Sequence, residues 1–202
     1  PAAKLTPIPL AYNAEVFRFL DLPTSNYLLY VGRHHPYKNV QRLIAAFAAL
    51  PESCCWSQLW IAGPIDRRYT PQLMSQAREL GVSGRVKFIG YVEDAKLAEL
   101  LNQAIALVFP SLWEGFGIPV LEAMACGTPA IASNLSALPE VAGDAALFVD
   151  PYHIQEMTAA MTAVLMDTTA RSQLRRASLA RAGEFSWHKT GQATVEVLQQ
   201  YL

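Results

Sequence analysis

Cysteine is scarce in this chain of 202 residues, which has three, two of them adjacent at Cys54 and Cys55. That spacing makes no disulfide framework, and no Cys-x-x-Cys pair is present for thiol redox chemistry. The sequence therefore reads as that of a cytoplasmic protein with buried or half-buried free thiols. Charge is sparse too: 16% of residues are charged, with 16 Lys and Arg against 17 Asp and Glu. A near-neutral balance without a basic stripe offers nothing to a phosphate backbone, so no nucleic-acid partner is expected. Long apolar runs are missing. None approaches the ~20 residues that span a bilayer, and Pro1-Ala-Ala-Lys-Leu-Thr-Pro7 lacks a signal-peptide core. Histidines at metal-ligand spacing are missing as well. His34 and His35 are adjacent, His153 and His188 stand apart, and all are expected at the surface with no metal bound. There is no Gly-x-x-x-x-Gly-Lys-Ser/Thr loop, and Gly115-Phe-Gly117 lacks the third glycine of a dinucleotide fingerprint.

What is present is alternation. Apolar runs near 27–32, 57–62, 85–89, 105–109, 129–133 and 146–149 are strand-length, and helix-periodic segments near 40–50, 70–80, 94–103, 118–126 and 153–166 separate them. The pattern predicts an α/β fold, a Rossmann-like parallel sheet with helices on both faces. After about residue 167 it is helical only. Arg171, Arg175 and Arg176 are expected on a solvated face there, and Phe185, Trp187, Val195, Leu198 and Tyr201 are able to pack. Residues 1–25, which carry Pro1, Pro7, Pro9 and Pro23, read as a linker or lead-in to a domain over 26–182, with a C-terminal helix over 183–202.

Two strand exits carry the chemistry. The first, Pro110-Ser-Leu-Trp-Glu114-Gly-Phe-Gly-Ile-Pro-Val-Leu-Glu122-Ala-Met-Ala-Cys-Gly-Thr-Pro129, places two carboxylates around a glycine turn that opens a helix. Gly115 and Gly117 let the backbone turn sharply, and Pro119 suits the start of a helix because it has no N–H to lose. The helix N-terminus presents unpaired amides around Phe116 to Ile118 that can hold phosphate or sugar oxygens. Glu122, about one turn in, leans back toward that end. A carboxylate repels phosphate but accepts two hydrogen bonds from a vicinal diol, so a ribose is its better ligand, while Glu114 on the turn faces a sugar. Taken alone, the pair also fits a solvated loop acid and a first-turn helix acid.

The second exit tips that balance. Leu28-Leu-Tyr-Val-Gly-Arg33-His-His-Pro-Tyr-Lys38-Asn39 reads as a strand, a glycine exit and a loop with two cations, before a helix that Asn39 caps. Leu43, Ile44 and Phe47 should pack on the sheet and leave Arg33 and Lys38 free at the strand's C-terminal end. That is the usual ligand edge of an open parallel sheet. Two cations there can neutralise a diphosphate.

These motifs, with Ile61-Ala-Gly-Pro64 and Val86-Lys-Phe-Ile-Gly90, resemble the nucleotide-sugar-binding C-terminal domain of a retaining GT-B glycosyltransferase of family 4, the glycosyl transferases group 1. The resemblance covers nearly the whole chain. It implies one half of a GT-B fold and a transferase (EC 2.4) that moves a glycosyl group, typically a hexose, from an NDP-sugar to an acceptor hydroxyl with retention. It implies no metal and no other cofactor. Arg33 and Lys38 match the basic pair on the donor diphosphate, and with Glu114 are the catalytic candidates. Glu122 matches the ribose-binding acid, and Gly115, Phe116, Gly117 and Ile118 match the turn whose amides meet sugar and phosphate. Gly32 and Gly63 belong to the same donor site, and Tyr91 and Val92 to the base-contacting segment. The usual Asn-Gly near the start is replaced by Tyr12-Asn13-Ala14, a departure that touches only the hinge.

A GT-B enzyme has two such domains, so the acceptor, a sugar or lipid-linked sugar, is expected on a half that this chain lacks, and the isolated chain is expected to bind donor without turnover. The full-length enzyme is expected in the cytoplasm, peripheral to the membrane at most. The terminal helix of family members crosses to the other domain, which predicts weak self-association through that face here. Two alternatives remain open at this point: a binding-only donor module, and a GT-B enzyme of another reaction, such as a nucleotide-sugar 2-epimerase or a hydrolase using Glu114 and Glu122 as acid and base.

Overall fold

The computed structural model describes residues 5–200. Six strands, β1 (Tyr27–Val31), β2 (Gln58–Ala62), β3 (Val86–Gly90), β4 (Ala106–Phe109), β5 (Ala130–Ser133) and β6 (Ala146–Val149), form one sheet. Its order is β3-β2-β1-β4-β5-β6, and every neighbouring pair is parallel. Each strand is four or five residues long, which suits a sheet buried on both faces.

Two apolar clusters lie on opposite faces, and the alternation within β1 divides between them. Tyr27 and Leu29 face the helices α3 (Asp94–Gln103), α4 (Ile118–Ala125), α5 (Leu138–Ala142) and α7 (Thr168–Ala182). Leu28 and Tyr30 face α1 (Val40–Ala48), α2 (Thr70–Glu79) and α6 (Ile154–Met166). Leu43, Ile44 and Phe47 of α1 are fully buried, as their spacing requires. The chain runs outward from β1 to β3 and then returns to place β4 on the other side of β1. The sheet therefore has its topological switch point between β1 and β4, where ligands of open α/β sheets bind.

The lead-in is tied to the domain. Phe17 is buried, and Asn102 accepts from the Leu20 amide at 2.7 Å and donates to the Arg18 carbonyl at 3.0 Å. At the other end the expected solvated arginine face is only partly so. Helix termini leave carbonyls without intrahelical partners, and two of those arginines supply them. Arg171 donates to the carbonyls of Val164 and Leu165 at the end of α6, and Arg175 donates to Gly127 just past the end of α4. Arg176 alone is exposed as expected. The last helix, α8 (Trp187–Gln199), buries none of its residues, and Trp187, Val195 and Leu198 are all more than half exposed. Tyr201 lies outside the described residues. Phe185 does pack, edge to face on Phe116 at 6.1 Å between ring centroids.

Candidate donor-binding site

The strands β1, β2 and β3 all exit through glycine, Gly32 and Gly63 following β1 and β2 and Gly90 closing β3, and their backbones step into one another. The Gly32 amide donates to the Ala62 carbonyl at 2.9 Å, and the Gly63 amide donates to the Gly90 carbonyl at 2.8 Å. At Gly63 the approach is so close that a Cβ would lie 1.9 Å from the Gly32 carbonyl oxygen, so no other residue fits. Beyond these exits opens a cavity of about 310 Å³, lined by Gly32, Arg33, Gly63, Tyr91, Val92 and Asp94 among others. The structure thus brings together five residues from the β1, β2 and β3 exits that the sequence places in one site, Gly32, Arg33, Gly63, Tyr91 and Val92, with Arg33 exposed at its edge.

The loop after β1 is firmly held. The Tyr30 hydroxyl donates to the Arg33 carbonyl at 2.8 Å, and a single 3-10 turn covers Pro36–Lys38. Asn39 then adopts a left-handed conformation at φ 61°. Its side chain does not cap α1. Its Nδ2 instead donates to the carbonyls of Pro110 at 3.1 Å and Pro151 at 2.7 Å, tying the β1 loop to the exits of β4 and β6. His34 also departs from expectation, being buried rather than at the surface. Its Nδ1 meets the Thr70 hydroxyl at 2.7 Å and its ring edge packs on Phe88. Burial lowers its pKa, which favours the neutral ring in that setting. His35 is the more exposed of the two and lies 3.8 Å from Asp66.

Lys38 is not free. Its Nζ lies 2.5 Å from Glu114 Oε1, and the two side chains are only 13% and 12% exposed. This contact joins the β1 and β4 exits across the switch point. The Leu112 amide reinforces it by donating to the Tyr37 carbonyl at 2.7 Å. The Glu114 amide meets the Ser136 hydroxyl at 3.3 Å.

Past Glu114, Gly117 takes φ 104° as the residue preceding α4. A Cβ there would lie 2.4 Å from Leu138 Cδ2, so both conformation and space call for glycine. Among the described residues, the amides of Phe116, Gly117 and Ile118 have no hydrogen-bond partner, which leaves an anion-ready helix start. Glu122 sits one turn further on, half-buried, and meets no cation among the described residues. Burial first, and the charge of Asp94 second, raise its pKa to about 7. On the next turn burial and the Glu122 charge push the Cys126 thiol up to about 12, so it is no nucleophile at neutral pH. Asp94 belongs to no motif and escapes a reading of the sequence; its only signal is its place shortly after Gly90, Tyr91 and Val92.

Among the described residues no three His, Cys, Asp or Glu side chains converge on a point that could hold a metal ion, and no helix is long and apolar enough to cross a membrane.

Compared with known proteins, the chain matches the family described as Glycosyl transferases group 1 over residues 14–181. It is 36% identical over 182 residues to the O-antigen chain mannosyltransferase B of Escherichia coli, an alignment that covers 89% of this chain and 47% of the relative. It is 35% identical over 173 residues to the glycogen synthase of Mycobacterium tuberculosis, covering 84% of this chain and 41% of the relative. The chain therefore spans less than half the length of these curated relatives. Its fold is similar to the C-terminal domain of a glycosyl transferase group 1 family protein from Francisella tularensis. That likeness has a TM-score of 0.77 at 20% identity and covers 86% of this chain and 97% of that one.

Proposed function

This chain belongs to the glycosyl transferases group 1 and has the fold of one GT-B half, and on that premise we propose that it is the donor-binding half of a retaining transferase. The enzyme moves a hexosyl group from an NDP-sugar to an acceptor hydroxyl without a metal ion. The observation that carries this reading is the contact of Lys38 with Glu114 across the switch point, which sets a cation and a sugar-facing acid side by side. Arg33 and Lys38 hold the diphosphate and stabilise it as charge develops on the leaving group. The free amides at Phe116, Gly117 and Ile118 add donors for phosphate or sugar oxygens. Glu114 meets donor-sugar hydroxyls, Glu122 accepts from the ribose diol, and Gly32, Gly63, Tyr91 and Val92 line the slot for the base.

Residues 26–182 form the donor domain proper, 1–25 lead into it, and the helix after 183 docks on the acceptor half. The exposure of Trp187, Val195 and Leu198 supports that docking, and in the isolated chain the same face gives weak self-association. The acceptor, a sugar or lipid-linked sugar, meets the other half, so the isolated chain binds donor and does not turn over. The cytoplasm is the proposed location, peripheral to the membrane for the full-length enzyme. Calorimetry with nucleoside diphosphates, beside a transfer assay of the full-length enzyme, tests the reading. Binding abolished by Arg33→Ala is the expected result, and a chain that binds no nucleoside diphosphate overturns it.

A further inference from the structure

Trp113 is 67% exposed, although it stands directly before Glu114, whose side chain is buried against Lys38. A single exposed aromatic is ordinary on a protein surface. This one is mounted rigidly. Before it, the Leu112 amide donates to the Tyr37 carbonyl at 2.7 Å. After it, the Glu114 amide meets the Ser136 hydroxyl at 3.3 Å and the Glu114 carboxylate holds Lys38. The backbone on both sides of Trp113 is thus fixed to groups remote in the chain. Among the described residues its indole stacks on no other ring.

A second aromatic comes to the same place from the β1 exit. Tyr37 is 40% exposed, with Lys38 Nζ 5.3 Å from its ring centroid and the His35 ring edge-on to it at 5.8 Å. Two held aromatic side chains from different exits therefore flank one buried ion pair. A pyranose has hydroxyls around its edge and C–H groups across its faces. Charged groups answer the edge, and a flat aromatic surface answers the face by taking its C–H groups out of water. Aromatic side chains that are already fixed lose little freedom on binding. A lipid chain calls for a continuous apolar slot, whereas here the rings are divided by charge, which suits a polyhydroxylated ring.

The orientation of the two neighbours says which sugar this is. Glu114 turns inward to Lys38, and Trp113 turns outward. In the donor reading the diphosphate lies on the side of Arg33 and Lys38, and the donor sugar lies against Glu114. An acceptor hydroxyl then reaches the anomeric carbon from the open side, past Trp113. Resting on that reading, we propose that Trp113, with Tyr37 beside it, is the platform on which the acceptor's sugar ring stacks. The acceptor is accordingly a carbohydrate, recognised in part by this half of the enzyme.

Titration of the nitrogen-15-labelled chain with methyl α-glucoside and methyl α-mannoside tests this through its four indole N–H resonances. One stacked ring is a weak ligand, so a Kd on the order of 10 mM is expected. Either glycoside should shift the Trp113 resonance, assigned by its loss in Trp113→Phe, and leave those of the exposed Trp56 and Trp187 in place. Glycerol, which has hydroxyls but no ring face, should shift none. The glycoside shift should persist with UDP-glucose or GDP-mannose bound. In the full-length enzyme, assayed with the same glycosides, Trp113→Ala should raise the acceptor KM about 10-fold and leave the donor KM within about threefold. Trp113→Phe should restore most of that loss, and Trp113→Leu, apolar but not flat, should not. A Trp113 resonance indifferent to both glycosides, or a shift abolished by the bound donor, overturns the acceptor platform. Trp113→Leu as good as Trp113→Phe, or a loss of full-length stability at unchanged acceptor KM, makes Trp113 a contact with the other half and overturns it too. All of these leave the donor site intact. Calorimetry in which UDP, GDP and ADP all fail to bind the wild-type chain overturns the donor reading beneath it.

Discussion

Glu114 and Glu122 come from one strand exit, yet they meet opposite surroundings. Glu114 is held against Lys38 by an ion pair that spans the switch point. Glu122, a turn inside α4, meets no cation among the described residues, and burial first, with the charge of Asp94 second, raises its carboxyl to about 7. One acid lies in an ion pair, whereas the other waits for a ligand that favours its charged form. The difference shows that a residue type and a spacing do not fix a role, because folding packs different groups around each carboxylate.

The sharpest way to break this comparison is to remove the cations. In the full-length enzyme, Arg33→Ala and Lys38→Ala should each cost on the order of 10²-fold in kcat for transfer. Only Lys38→Ala should also lower stability, by about 3 kcal/mol, because it leaves the Glu114 carboxylate in place without its partner. Steady-state kinetics and denaturant titrations of both variants check this, and equal stability losses would place Glu114 outside Lys38's control.

Next in size is the acid pair itself. At pH 8, Glu122→Gln should weaken nucleoside diphosphate binding about 10- to 100-fold, by loss of a charged acceptor for the diol. Glu114→Gln should leave that affinity within about threefold, since its proposed ligand is the sugar, not the nucleotide. If calorimetry gives the two variants the same loss, the division of roles is wrong.

A pH series sharpens the same point. Glu122 rises from an ordinary value of 4.5 to about 7 in the fold, while a diol-bound carboxylate must be ionised. Affinity for an intact NDP-sugar, whose diphosphate does not titrate near neutrality, should therefore fall about tenfold from pH 8 to pH 6. The linked stability effect has the opposite sign. A raised carboxyl favours the protonated fold, so its contribution is complete below about 4.5 and is lost as pH rises through 7. Glu122→Gln should then stabilise the chain at pH 8, by on the order of 2 kcal/mol, and have no effect at pH 4.5. A flat binding profile with a wild-type response in the variant would remove Glu122 from the site.

The smallest expected effect is that of Ser136→Ala. Its hydroxyl touches the Glu114 amide at 3.3 Å, a long contact at an exposed position. The loss should stay under about 1 kcal/mol in thermal or denaturant unfolding. A larger loss would mean that the turn, more than Lys38, holds Glu114.

Much of this was legible because it is local. Leu28 to Tyr30 are apolar without a break, and Leu43, Ile44 and Phe47 recur at helical spacing. These patterns placed β1 and α1, and the same logic placed the other strands and the longer helices. Gly117 and Pro119 marked the start of α4 for the same reason, since backbone freedom and a missing N–H act within one turn. The resemblance to the group 1 transferases also rested on such local runs. Asn39 and His34 were misread where local logic met distant partners. Asn39 stands where a helix cap belongs, but its amide is drawn to the Pro110 and Pro151 carbonyls. His34 looks like a polar loop residue until Thr70 and Phe88 close over it.

The sequence by itself determined the alternation of strands and helices, the two charged strand exits, and the turns at which glycine is required. Those properties follow from periodicity and from the backbone of a few neighbouring residues. Only the tertiary structure decided the sheet order that brings the β1 and β4 exits together, the pairing of Lys38 with Glu114, the partial burial of Glu122 and the presence of Asp94 at the cavity. Each of these depends on groups far apart in the chain, and the field around a carboxylate is set by whatever folding places next to it.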